Sequence, residues 1–146
     1  MVGKRSKTVQ LKTAKGRTAS SQRWLRRQLN DPYVQEAQRL GYRSRSAFKL
    51  LQLDEKFKFL YKGQRVVDLG AAPGGWCQVA ANRVLTEKTG NIVGLDLLPM
   101  DPIPGVNLLQ TDFMSQEGLS ELMKILTDKV DLVISDMAAS TTGHAP

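Results

Sequence analysis

The 146-residue chain has one cysteine, Cys77, and one histidine, His144. A lone cysteine excludes an internal disulfide, and with it the small secreted scaffolds that depend on one. One histidine with a single distant cysteine gives no metal-ligand spacing, so a zinc site has no support and no metal is expected. No run approaches the ~20 consecutive apolar residues of a spanning helix. Nothing at the N-terminus reads as the apolar core of a secretory signal. Acidic residues are missing from the first 27 positions, which hold nine basic ones. These absences point to a protein of a reducing compartment, with the cytoplasm as expected location and no membrane partner.

What is present is enough for one domain: 41% of the residues are hydrophobic and the net charge is +7. The charge is unevenly spread. Residues 1–49 hold 13 basic and 2 acidic side chains, a net of +11, whereas residues 50–146 have a net of −4. A basic first third fits an arm or face that meets a polyanion, while the mildly acidic remainder does not suit a protein that merely coats nucleic acid. Residues 1–20 read as a flexible basic arm. A solvated tail and an organellar targeting segment, which is also basic and Ser-rich, are the competing readings.

From position 21 the chain reads as ordered. Asn30 or Asp31 can cap a helix that has Pro32 in its first turn and ends at Gly41. Ser44 or Ser46 can cap a second helix carrying Ala47, Phe48, Leu50, Leu51 and Leu53, with Lys49 near its start among neighbours expected to be buried. After Gly63 the pattern changes to short apolar runs alternating with helical spacing. "RVVDLG", "GNIVGLDLL", "GVNLLQTDF" and "VDLVISDMA" read as strands, and "AAPGGWCQVAANRVL" and "GLSELMKIL" as helices. This alternation predicts an α/β fold with a mostly parallel sheet covered by helices on both faces. The fourth strand would lie beside the first and leave a long apolar edge bare just before Pro146. The expectation is therefore a chain cut after its fourth strand, with 21–146 forming the N-terminal part of a larger domain.

Ligands of such sheets lie beyond the C-terminal ends of the strands, near the point where strand order reverses. Asp68, Asp96, Asp112 and Asp136 each fall at or just past a strand end. Four acids in one crevice repel a phosphate and suit a cationic or hydrogen-bond-rich ligand. The loop Gly70-Ala71-Ala72-Pro73-Gly74-Gly75 lets the backbone approach a ligand closely. Its spacing is not that of a dinucleotide fingerprint, and it lacks the lysine of a P-loop. Asp96 suits the two hydroxyls of a ribose, and Asp112 can accept from an adenine amino group. Trp76 can pack either on a ligand or in the core, and Cys77 reads as a small buried residue.

The segments "RSRSAFKL", "VVDLGAAPGGW", "GLDLLPMDPIPGV", "LQTDF" and "DLVISDMA", in this order, resemble the bacterial heat-shock methyltransferase family of 23S ribosomal RNA, the large subunit methyltransferase E family. The likeness runs from about Ser21 to the end. It implies a Rossmann-like S-adenosylmethionine-dependent methyltransferase fold, ribosomal RNA of the large subunit as partner, and methylation of a uridine ribose 2′-hydroxyl. The family's active set is Lys-Asp-Lys-Glu, of which the first two map by motif to Lys49 and Asp136; the other two would lie beyond Pro146. Cofactor contacts carry over to Gly74, Trp76, Asp96, Asp112 and Asp136, with Asp68 supporting the glycine loop of Gly70, Ala71, Pro73 and Gly75. With a carboxylate beside it, Lys49 is expected to orient the hydroxyl and place charge rather than act as a simple base. Arg23, Arg26, Arg27, Arg43 and Arg45 are expected to contact phosphates. The alternatives are the same reaction on transfer RNA or a messenger cap, a non-catalytic ribosome-assembly factor, and, more distantly, a dinucleotide oxidoreductase. A monomer is expected.

Overall fold

The computed structural model describes residues 19, 22–23, 31–126 and 129–137. Among these, the order is α1 (Pro32–Arg39), α2 (Ser46–Phe57), β1 (Arg65–Leu69), α3 (Gly75–Val84), β2 (Asn91–Asp96), β3 (Val106–Gln110), α4 (Gln116–Ile125) and β4 (Leu132–Ser135). All strand pairs are parallel and the sheet order is β3-β2-β1-β4, so chain order reverses on either side of β1. The expected Rossmann-like sheet, with its first and fourth strands adjacent, is what forms.

The period of two along β1 sends Val66 and Asp68 to one face and Val67 to the other. On the first face Val66, Ile92 and Ile134 pack against Ala47 and Leu50 of α2 and against Cys77, Val79, Ala80 and Val84 of α3. On the second, Val67, Val93 and Leu95 pack with Leu126, Leu122 and Ile125 at the end of α4. Both faces of β1 and β2 are covered, which is why these two strands read as unbroken apolar runs. Leu50, Val79, Val84 and Ile92 are fully buried, each stabilising the fold by about 1.5–3 kcal/mol.

Asp31 caps α1 as the sequence implies, its Oδ1 accepting from Tyr33 N at 2.8 Å and Val34 N at 3.3 Å. The start of α2 differs from expectation. Arg45 occupies the capping position in helical conformation, and neither serine caps it; the hydroxyls of Ser44 and Ser46 instead bond to each other at 2.7 Å. A side-chain cap needs extended backbone, which this helical entry does not provide. At the far end of α2, buried Asp54 accepts from Phe59 N and Leu60 N through Oδ1, and from Arg83 of α3 through Oδ2 at 2.9 Å. That junction fixes α2 against α3 and so sets where Lys49 sits. No helix among the described residues is long and apolar enough to cross a membrane.

Candidate active site

Beyond Leu69 the chain turns at Gly70 (φ +69°), and the Gly70 and Ala71 amides both donate to Leu95 O, at 2.8 and 3.0 Å. A side chain at Gly70 would put its Cβ 2.2 Å from Met137 Cγ, so only glycine lets the loop lie this close to the end of β4. Asp96, at the tip of β2, accepts from Ala72 N through Oδ2 and from Leu98 N through Oδ1, both at 2.9 Å. Its carboxylate thus joins the glycine loop to the turn after β2. Gly74 (φ +116°) leads into α3, which begins at Gly75.

A cavity lies under this loop, lined by Ser46, Asp68, Gly70, Ala71, Ala72, Pro73, Gly75, Trp76 and Asp136. Seven of the residues expected at the cofactor site, Asp68, Gly70, Ala71, Pro73, Gly75, Trp76 and Asp136, meet here. The enclosed part measures only about 80 Å³, and Asp96 and Asp112 lie outside it along the open strand ends. Asp112 is exposed and accepts from Met114 N at 2.9 Å. Trp76 combines its two readings: it is 7% exposed, belongs to the core and donates from Nε1 to Ser46 O at 2.8 Å, yet also forms part of the cavity wall.

Asp68 is the floor. It is 1% exposed, and Cys77 donates from Sγ to its Oδ2 at 3.2 Å. Burial pushes its carboxyl up to about 7; the Cys77 contact opposes this, and the charges of Asp136 and Asp96 add to it. The Cys77 thiol is itself pushed well above its ordinary value by burial and by the Asp68 charge. Gly94 makes the arrangement possible. It pairs in register with Asp68, and a Cβ there would lie 2.9 Å from Cys77 Sγ and 3.1 Å from Ala71 Cβ. The isolated glycine inside a strand was the available signal for this close approach.

Lys49 Nζ donates to Asp136 Oδ1 at 3.0 Å, bringing together two residues 87 positions apart. Its neighbours Ala47 and Leu50 are buried as expected, while the lysine's own side chain is 63% exposed. One residue step turns a helix by about 100°, so Leu50 faces the core while Lys49 faces away. Ser46, Lys49 and Gln52 follow one another at three-residue spacing along the opposite stripe, a polar pattern that the sequence reading passed over. On that stripe a second, open cavity of about 350 Å³ is lined by Tyr33, Arg45, Ser46, Phe48, Lys49, Gln52 and Asp136. The two cavities share Ser46 and Asp136.

The arginines separate into different roles. Arg43, expected as a phosphate contact, braces two loops within the protein. Its Nη1 donates to Pro73 O (3.2 Å) and Asp101 O (2.5 Å), and its Nη2 to Pro102 O (2.8 Å). Three carbonyls on two loops claim the guanidinium because the segment after β2 folds back over the start of α3. Arg45 pairs with Asp31 and stands 5.8 Å from the Tyr33 ring centre. Arg23 is exposed; Arg26 and Arg27 lie outside the described residues, as do most of the basic arm and His144. Among the described residues, no group of three or more His, Cys, Asp or Glu side chains is placed to hold a metal ion.

Comparison with known proteins gives this geometry a family. Residues 42–145 match the model of the FtsJ-like methyltransferases. The chain belongs to that family. It is 54% identical to the ribosomal RNA large subunit methyltransferase E of Parvibaculum lavamentivorans and 57% identical to that of Paramagnetospirillum magneticum, each match covering 97% of this chain and 59% of the relative. A crystal structure described as a ribosomal RNA methyltransferase of Plasmodium falciparum superimposes with a TM-score of 0.62 at 39% identity, over 70% of this chain and 60% of that one. The chain thus spans about three fifths of the length of these relatives. The FtsJ-like match contains the glycine loop, all four strand-end acids and both partners of the Lys49–Asp136 pair.

Proposed function

We propose that the protein transfers a methyl group from S-adenosylmethionine to the 2′-hydroxyl of a uridine ribose in large-subunit (23S) ribosomal RNA. The observation that carries this reading is the Lys49–Asp136 contact at the border shared by the two cavities, one floored by carboxylates and the other open to the surface. The high identity to the two bacterial large subunit methyltransferases E, over nearly all of this chain, supports the substrate.

The residues present suit the cofactor. Glycines and backbone amides offer close approach under the loop, and acids rather than basic groups surround it, which favours a cation. S-Adenosylmethionine, when bound, supplies an electrophilic methyl on a sulfonium. Asp136 and the Gly70–Gly75 loop would hold it beside the cavity, Asp96 would accept from ribose hydroxyls and Asp112 from an adenine amino group. Lys49 and Asp136 work on the acceptor side. The carboxylate fixes Nζ, and Nζ can hydrogen-bond the 2′-oxygen and hold its lone pair in line with the reacting carbon, while the hydroxyl proton would leave to solvent in the open cavity as the new C–O bond forms. Positioning of this kind accounts for much of the rate in a displacement between two bound groups.

Around this centre, residues 1–20 form a basic arm ahead of the catalytic region, and Arg23, Arg26, Arg27 and Arg45 neutralise phosphates of an RNA met in the cytoplasm by the monomeric protein. The decisive assay supplies labelled S-adenosylmethionine and large ribosomal subunits from cells lacking the modification to the full-length protein, followed by nucleotide mapping. Incorporation at one ribose 2′-oxygen is expected. Lys49→Ala should reduce the rate at least about 100-fold while cofactor affinity changes less than about twofold. Cofactor binding without transfer to any ribosomal RNA overturns the proposal.

A further inference from the structure

The second cavity has a feature that methyl transfer by Lys49 and Asp136 does not itself require. Tyr33 is 55% exposed at its wall, an aromatic face open to solvent in the cavity that Lys49 and Asp136 also line. It is not loosely held. Its ring lies 6.1 Å from that of Phe48, and Phe48 is in turn set edge-on to Tyr42 at 6.0 Å. The Arg45 guanidinium stands 5.8 Å from the Tyr33 ring centre, and Arg45 is anchored by Asp31, the residue that also caps α1 beneath Tyr33. The ring is therefore positioned from its backbone and from two neighbours, while more than half of the residue remains open to solvent.

We propose that Tyr33 is the stacking platform for the base of the nucleotide whose ribose is methylated. The proposal rests on the function argued above and goes beyond it by assigning the base a place. The occupant follows from what surrounds the ring. Lys49 and Asp136 line the same cavity, so a ribose presented to Nζ carries its base along the α2 stripe toward Tyr33 and Gln52. The wall is cationic at Arg45 and Lys49, and the chain up to position 49 has a net charge of +11, which complements a polynucleotide backbone. Every base has a π face that an aromatic ring can hold without reading its sequence. An apolar peptide would gain nothing from the two cations, and a free phosphate nothing from the ring.

Three measurements on the full-length protein with large-subunit RNA test this. Wild-type methyl transfer decides the function itself; its absence refutes that reading. With transfer established, Tyr33→Leu should raise the KM for RNA by about tenfold or more, in line with one lost base stack. Tyr33→Phe should stay close to wild type, and S-adenosylmethionine affinity should change in neither. A Tyr33→Leu KM within twofold of wild type overturns the assignment. Photo-crosslinking of wild-type protein to RNA carrying 5-bromouridine at the target position needs binding but no catalysis. It decides the matter even if the leucine variant fails to fold. Adducts mapping to Tyr33 uphold the proposal, and adducts confined to residues outside this cavity refute it.

Discussion

The carboxyl of Asp68 makes the stability of this fold depend on pH in a direction opposite to that of most acids. Aspartate in an unfolded chain ionises near 3.8; in the folded protein burial beside Asp96 and Asp136 moves this to about 7. The gap is roughly three pH units, and at about 1.4 kcal/mol for each it amounts to about 4 kcal/mol. The folded state binds the proton more tightly than the unfolded one. The contribution of Asp68 is therefore fully present below about pH 4, declines between 4 and 7, and has gone above 7. Asp68→Asn keeps the shape and removes the titration. In urea unfolding at pH 4.5, 6 and 8, the variant's stability minus that of wild type should rise steadily, by about 3 kcal/mol across the range, the rest of the shift lying below pH 4.5. Fixed costs of the substitution, such as an amide facing Cys77, are the same at every pH and cancel in that slope. Acids that do not interact with Asp68, such as Asp131 held low by Arg65, act equally in both proteins. A difference that stays flat within about 1 kcal/mol would falsify the buried-carboxyl argument.

A cation bound above Asp68 should favour its ionised form. S-Adenosylmethionine is therefore expected to bind more tightly, relative to its uncharged-sulfur product S-adenosylhomocysteine, as pH rises from 5.5 to 7.5 in calorimetric titrations; a constant ratio would argue against the coupling. Gly70→Ala forces a Cβ toward Met137 at a positive φ, and thermal unfolding should report a loss of about 1–3 kcal/mol. Arg43→Ala frees three carbonyls on the loops beside the glycine turn and should weaken cofactor binding several-fold. Because Arg43 serves as a brace, the salt slope of RNA affinity should be unchanged in that variant; a slope smaller by about 0.7–0.9 would restore the phosphate contact.

How much of this was legible in the sequence depends on how far apart the cooperating residues lie. β1 and β2 were visible because strands buried on both faces leave continuous apolar runs, β4 because its run is apolar even where Val133 is exposed, and α1 because Asp31, Pro32 and Gly41 act within one short segment. The strand-end acids were placed by the general geometry of parallel sheets, and Lys49 and Asp136 by family likeness. The role of Arg43 was not visible, since its acceptors are 30, 58 and 59 residues away and only the folded loops bring them to it. The Ser44 and Ser46 cap failed because composition shows a candidate hydroxyl but not the backbone angles that would let it act. Tyr33 was overlooked for a different reason. In sequence it is one aromatic on a short amphipathic helix, and only the position of α2 shows that its ring overlooks Lys49.

The placement of Asp136 shows how little secondary structure the site needs once register is fixed. β4 has four residues, and Asp136 lies just beyond it with no strand partner of its own. Ser135 supplies the missing constraint. It pairs with Leu69 in register, donates from Oγ to Leu69 O at 2.9 Å, and accepts from Met137 N at 3.1 Å. One hydroxyl thus ties the chain on both sides of Asp136 to the strand that carries Asp68. A slip of one residue would exchange the faces of β4, sending Ile134 out of the core and Val133, now 56% exposed, into it. Burial of Ile134 and the Ser135 bonds oppose that slip together. α2 is held independently by Leu50 in the core and by Asp54 on Arg83. Lys49 and Asp136 therefore meet because two elements, each fixed by its own packing, come to the same edge of β1, and their 3.0 Å contact is a result of that packing rather than its cause.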